Sequence, residues 1–163
     1  MSVQDATVDH LYQGLASARL LADLPEADLR TLTAAAEERR YIAGDVVFRE
    51  GEPSDGLYFV LTGALRIVTH LRSGETVLAN VPIGECVGEM GVIDRLPRSA
   101  TASAATFAIL AFVPGEAFLA LLERSPKITM RLVKMLSERL RRTNAFVAEL
   151  PGRLTRAEPT LEP

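Results

Sequence analysis

Between positions 88 and 101 the chain sets Gly88, Glu89, Met90 and Gly91 ahead of a short apolar run, and then places Arg98 and Ser99 nine and ten residues after the carboxylate. These residue types suit a phosphorylated sugar. Backbone N–H groups left open where a small-residue turn starts a helix attract anionic oxygens. An arginine gives such oxygens two parallel charge-assisted hydrogen bonds, and a carboxylate accepts from sugar hydroxyls. Read one at a time, each residue has an ordinary alternative. Arg98 could be a surface arginine paired with Asp94 or Glu89, and Glu89 could be a charge at the positive end of a helix.

The 163 residues, 48% of them apolar, suffice for one domain with a real core. A net charge of −3 gives no overall basic field, so neither nucleic acid nor an anionic membrane is the expected partner. Lys127, Arg131, Lys134, Arg139, Arg141 and Arg142 are read as a solvated face whose charges suit a helix C-terminus. Cys86, the single cysteine, reads as a small buried apolar residue. With only His10 and His70 besides, neither a closed zinc site nor the histidine and carboxylate cluster of a metal-dependent oxygenase can be drawn. The expectation is therefore a protein without metal, cofactor or catalytic activity. The N-terminus lacks the basic segment and apolar run of a signal peptide, and no apolar run approaches about 18 residues, which predicts a cytoplasmic location without membrane spans.

Helical spacing over positions 5–36, with Leu11, Leu15 and Ala18 before Pro25 and Leu29 and Leu32 after it, predicts two short covering helices. Eight glycines between positions 44 and 91 then separate runs rich in β-branched and aromatic residues. Strands are predicted near 39–42, 46–48, 57–61, 64–70, 76–81, 100–104 and 107–113. In 64–70, Leu65 and Ile67 should face the core while Arg66 and His70 face solvent. After Pro114 come a short helix to about 124 and a long one over 126–150, the latter about 36 Å long. Val133, Leu136, Leu140, Thr143, Val147 and Leu150 recur on it at heptad spacing, which predicts a homodimer through this helix. The layout is a helical cover at 1–36, a β region at 37–113, C-terminal helices at 114–150 and a tail at 151–163. The fold class is mainly β, as a sandwich or barrel, with flanking helices.

Two motifs carry a resemblance. One is Gly44-Asp45-Val46-Val47-Phe48-Arg49-Glu50-Gly51-Glu52, with Asp55, Leu57-Tyr58-Phe59-Val60 and Gly63 following; the other is Gly88-Glu89 through Pro97-Arg98-Ser99-Ala100-Thr101. In this order they resemble the cyclic nucleotide-binding domain family over positions 21–150. The resemblance implies a jelly-roll β-barrel with helices at both ends and a phosphate-binding cassette at 88–101. It implies that Glu89 accepts from the ribose 2′-hydroxyl and that Arg98 pairs with the cyclic phosphate. Gly88, Met90 and Gly91 match the cassette turn, with Gly91 small where alanine is usual. Ser99 matches a variable hydroxyl position, and Ala100 completes the cassette.

The segment Glu138-Arg139-Leu140-Arg141-Arg142-Thr143-Asn144 is similar to the one with which catabolite activators reach the adenine, which implies base contacts by Thr143 and Asn144 and cyclic AMP in preference to cyclic GMP. Positions 150–154 resemble the hinge to a DNA-binding domain, and the nine residues after them are too few for a helix-turn-helix. The expectation is a sensor that signals through its last helix to an unidentified effector protein. The alternatives are the sensor half of a transcription regulator lacking its DNA-binding domain, and a jelly-roll interaction or assembly module that has lost its ligand.

Overall fold

The computed structural model describes residues 3–71 and 74–149. Helix α1 (Val3–Ala16) and α2 (Glu26–Ala35) flank a 3-10 turn at Arg19–Leu21. Pro25 stands just before α2, and Glu26 and Asp28 lie in its first turn, where they suit the positive helix end. Eight strands follow: β1 (Glu37–Tyr41), β2 (Val46–Phe48), β3 (Gly56–Thr62), β4 (Leu65–Leu71), β5 (Gly74–Val81), β6 (Cys86–Val87), β7 (Thr101–Ala104) and β8 (Ala108–Pro114). Helix α3 (Glu89–Asp94) interrupts them, and α4 (Gly115–Arg124) and α5 (Pro126–Glu149) close the described chain. No helix among the described residues is long and apolar enough to cross a membrane.

The strands form two four-stranded sheets, β1-β8-β3-β6 and β2-β7-β4-β5, with every pairing antiparallel. The run Leu57-Tyr58-Phe59-Val60-Leu61 is apolar at every position because β3 is covered on both faces. Leu57, Phe59 and Leu61 join Leu15, Leu21 and Phe118 in the core beneath the helices. Tyr58 and Val60 point the other way, into a second core between the sheets with Phe48, Leu65, Val87 and Phe112. On β8 the same alternation sends Ala111 and Val113 to the helices and Leu110 and Phe112 between the sheets. The molecule is thus three layers, and the β3–β8 sheet is the middle one.

The predicted strands all appear, with ends moved by a few residues, and β6 is additional. Two residues carry too little periodicity to announce a strand. In β4, Leu65 is buried and Arg66 and His70 are exposed as expected, but the register shifts between Ile67 and Val68, and Val68 is buried beside a half-buried Ile67. The bulge breaks the simple alternation. On α5 the core-facing stripe is Ile128, Leu132 and Met135, with Leu136 partly buried against the same core. Val133 and Leu140, read as members of one heptad stripe with Leu136, are 53% and 61% exposed. Leu150, the 150–154 hinge and the 151–163 tail lie outside the described residues.

Phe118 of α4 is fully buried where α4, the N-terminal helices and β3 meet. Phe118→Ala should therefore cost about 3–5 kcal/mol in urea unfolding, the range for emptying an aromatic core site. A loss under about 1 kcal/mol would show that the helices do not rest on this residue.

Candidate functional site

Strand β6 pairs with β3 through Phe59–Cys86 and Tyr58–Val87, and the chain then turns at Gly88 into α3. Gly88 has φ +87°, a left-handed conformation that glycine adopts without a Cβ clash. No side chain caps the first turn of α3. From α3 the chain passes through Pro97 and Arg98 into β7, inside the other sheet. The segment 88–101 therefore joins the edge of one sheet to the middle of the next.

The two sequence motifs are bonded to each other. The Gly51 N–H donates to the Arg98 carbonyl and the Arg98 N–H to the Glu52 carbonyl, each at 2.8 Å. The Glu50 N–H donates to Thr101 Oγ1 at 3.0 Å. Glu52 also accepts from the Arg49 N–H at 2.9 Å, which closes its own turn. The glycine-rich turn after β2 is in this way a cradle for the arginine forty-odd residues later.

Of the four charged residues in the cassette, Asp94 and Arg95 are exposed, while Glu89 is 1% exposed and Arg98 4%. Arg98 Nη1 donates to the Gly88 carbonyl at 3.0 Å and Nη2 to Asp55 Oδ1 at 3.2 Å, while its guanidinium carbon lies 4.3 Å from the centre of the Phe48 ring. Its partner is neither Asp94 nor Glu89. Desolvation pushes the Arg98 pKa down, against the pull of Asp55. Arg98 Nε and Glu89 Oε2 are buried without a hydrogen-bond partner. A buried orphan polar atom costs free energy unless something arrives to satisfy it.

The other Glu89 oxygen, Oε1, accepts from Arg139 Nη1 of α5, and Arg139 Nη2 donates to the Cys86 carbonyl at 2.5 Å. Burial pushes the Glu89 carboxyl up from its ordinary range, and the Arg139 charge opposes the shift. Arg139 corrects the reading of the basic residues on α5 as one solvated face. Its side chain is 31% exposed, it lies in the middle of the helix, and the last turn of α5 holds no basic residue. The signal was available, since Arg139 continues the inward stripe of Ile128, Leu132 and Met135 at the next helical step.

The remaining predicted residues divide. Met90 and Ser99 are exposed on the cassette, and Gly91 and Ala100 are buried. A Cβ on Gly91 would lie 2.7 Å from Ser54 Cβ and 2.8 Å from the Leu96 carbonyl oxygen, so packing against the β2–β3 turn is what demands a glycine here. Thr143 and Asn144 are exposed on α5, and the Thr143 hydroxyl donates to the Arg139 carbonyl at 3.1 Å. Thr143 stands one turn beyond Arg139 on the same side, while Asn144 aligns with Leu140 and Val147. Cys86 is buried as expected, and burial pushes its thiol pKa up, which makes it inert. Among the described residues no cluster of three or more histidine, cysteine or acidic side chains could hold a metal.

Chemically, the cassette offers a buried cation with a free in-plane N–H and a buried carboxylate with a free oxygen, framed by an uncapped helical turn. The chain is 29% identical over 148 residues to a CRP-like cAMP-activated global transcriptional regulator of Mycobacterium tuberculosis, an alignment covering 87% of this chain and 66% of that one. Among solved structures it superposes on a cyclic nucleotide-binding domain from Methylobacillus flagellatus with a TM-score of 0.74, 26% identity and coverage of 92% and 88% of the two chains. It also superposes on the regulatory domain of Toxoplasma gondii PKA with cAMP, with a TM-score of 0.65, 28% identity and coverage of 71% and 44%. The chain thus spans just under two thirds of the mycobacterial regulator and under half of the Toxoplasma chain. Residues 38–125 match the family model described as cyclic nucleotide-binding domain, and with both motifs locked together around Arg98 the chain belongs to that family.

Proposed function

We propose that this cyclic nucleotide-binding regulatory domain takes cyclic AMP in preference to cyclic GMP and reports it through movement of α5. In this reading Arg98 holds the cyclic phosphate, with the turn of Gly88, Met90 and Gly91 close to it and Ser99 and Ala100 completing the wall. Glu89 accepts from the ribose 2′-hydroxyl, and Thr143 and Asn144 reach the base. The observation that carries the reading is the pair of buried, unpartnered atoms, Arg98 Nε and Glu89 Oε2, in one cassette. The likeness to a cAMP-activated regulator and to a domain solved with cAMP supports cyclic AMP as the nucleotide.

Movement of α5 follows from who holds Glu89. Arg139 engages its Oε1 from α5, so a ribose hydroxyl that donates to the free Oε2 weakens the charge by which the same carboxylate holds the helix. A ligand shifts a conformational equilibrium only by contacting one state better than the other. The output passes to an effector protein or to a further domain joined through α5.

A second reading also has an observation behind it: Arg139 already engages Glu89, and Asp55 already engages Arg98, as in an assembly module that needs no ligand. Calorimetry separates the two. Cyclic AMP should bind more tightly than cyclic GMP or a cyclic dinucleotide, and Arg98→Ala should weaken it by about 2–5 kcal/mol, the cost of truncating a buried charged partner. No heat with any of the three nucleotides would support the ligand-free module.

Met130, Val133, Leu140 and Val147 form an exposed apolar stripe on α5, each between 48% and 61% exposed. We assign it to a second copy of the chain, packed helix to helix at heptad-like spacing. Sedimentation should find a dimer for the wild type and a monomer for Leu140→Glu, and an unchanged wild-type monomer at high concentration contradicts the assignment.

A further inference from the structure

Arg98 is almost wholly desolvated, yet the carboxylate it pairs with, Asp55, is 70% exposed and sits at 3.2 Å. The Gly88 carbonyl and Asp55 accept from its two terminal nitrogens and hold the guanidinium at its edge, and a different group covers its face. The Phe48 ring lies 4.3 Å from the guanidinium carbon. The Gly88 backbone stands at the edge that ring and guanidinium share: a Cβ there would come 2.5 Å from Arg98 Nη1, 3.4 Å from the guanidinium carbon and 3.4 Å from Phe48 Cε1. The ring covers one face of the guanidinium, and the bare glycine leaves room for its edge.

The ring is itself fixed. Phe48 is 8% exposed and packs on Tyr58 with centroids 5.8 Å apart, and Tyr58 packs on Phe112 at 5.2 Å. The β2–β7 pairing shifts register between Val46 and Phe48, so Val46 remains exposed while Phe48, two residues on, is buried in the inter-sheet core. In a plain strand those two side chains would share a face. The bulge re-aims the ring towards Arg98.

We propose that Phe48 is a positioning residue, whose ring face fixes the plane of the Arg98 guanidinium beside Gly88 so that its unpartnered Nε–H meets the phosphate. The proposal rests on the reading of Arg98 as the phosphate ligand. A cation over an aromatic face is attracted most strongly where both are desolvated, and stacking suits a planar guanidinium better than the point charge of a lysine. Leucine at position 48 keeps much of the apolar volume and loses the ring face.

The test begins without ligand, on the arginine Nε–H signals of the 15N-labelled protein. The Arg98 Nε proton should be displaced by the Phe48 ring current, lose that displacement in Phe48→Leu and keep it in Phe48→Tyr. Phe48→Leu should then weaken cyclic AMP about tenfold, Phe48→Tyr about twofold at most, and Phe48→Leu should cost almost nothing further in an Arg98→Lys background. An undisplaced wild-type signal, which needs no variant to fold, overturns the proposal. So does an equal loss in both backgrounds. A displaced signal in a protein that binds no cyclic nucleotide leaves the stacking standing and removes the functional reading instead.

Discussion

A carboxylate with 1% of its surface exposed needs a cation, and for Glu89 the cation comes from a helix fifty residues further along the chain. The bond to Arg139 ties the cassette to α5, and the contact of the same guanidinium with the Cys86 carbonyl extends the tie to β6. An ion pair of this kind does not owe its presence to net stability, because desolvation offsets much of the attraction. Its consequence is geometric: α5 cannot shift along its axis without leaving a buried charge unpaired. Other ionic contacts, Arg19 with Glu138 and Lys127 and Arg131 with Asp23, run along the same helix; apart from Arg131, 27% exposed, their groups are 47–69% exposed, and screening leaves the exposed pairs worth little. They line the side of α5 that faces the 3-10 turn, while Glu89 fixes its height.

The layered core explains why so short a segment can be held so firmly. Strand β3 contributes alternate side chains to both cores, and β6 hangs on it by two residue pairs just before the cassette begins. At the other end β7 is a central strand of the second sheet. The cassette is therefore stretched between two rigid supports, and the turn after β2 pins its middle through the paired backbone bonds of Arg98. A loop so fixed can hold two buried charges in a set relation. A free loop would pay the ordering entropy only when ligand arrived.

Much of this was legible in the residue order. Glycine spacing and β-branched runs marked seven of the eight strands, and Pro126 marked the start of α5 where it occurs. Glu89 and Arg98 stood out by type and spacing, and the structure buries both. Long-range pairing was not legible. Nothing local tells Arg98 to take Asp55, from a turn over forty residues earlier, in preference to nearby Asp94. On α5 two apolar stripes compete, and the heptad pattern of Val133 and Leu140 obscured the inward one of Ile128, Leu132 and Met135 that leads to Arg139. The need for glycine at position 91 was invisible for the same reason, since it comes from Ser54 across the fold.

Hydrogen exchange of the α5 amides with and without saturating cyclic AMP tests the proposal that α5 is governed from Glu89 through Arg139. The nucleotide should change protection in the part of α5 around and beyond Arg139, and Arg139→Ala, which cuts the tie beforehand, should abolish most of that ligand-dependent change while cyclic AMP still binds. Identical exchange along α5 in the free and the bound wild-type protein, with binding verified in the same sample, would contradict it.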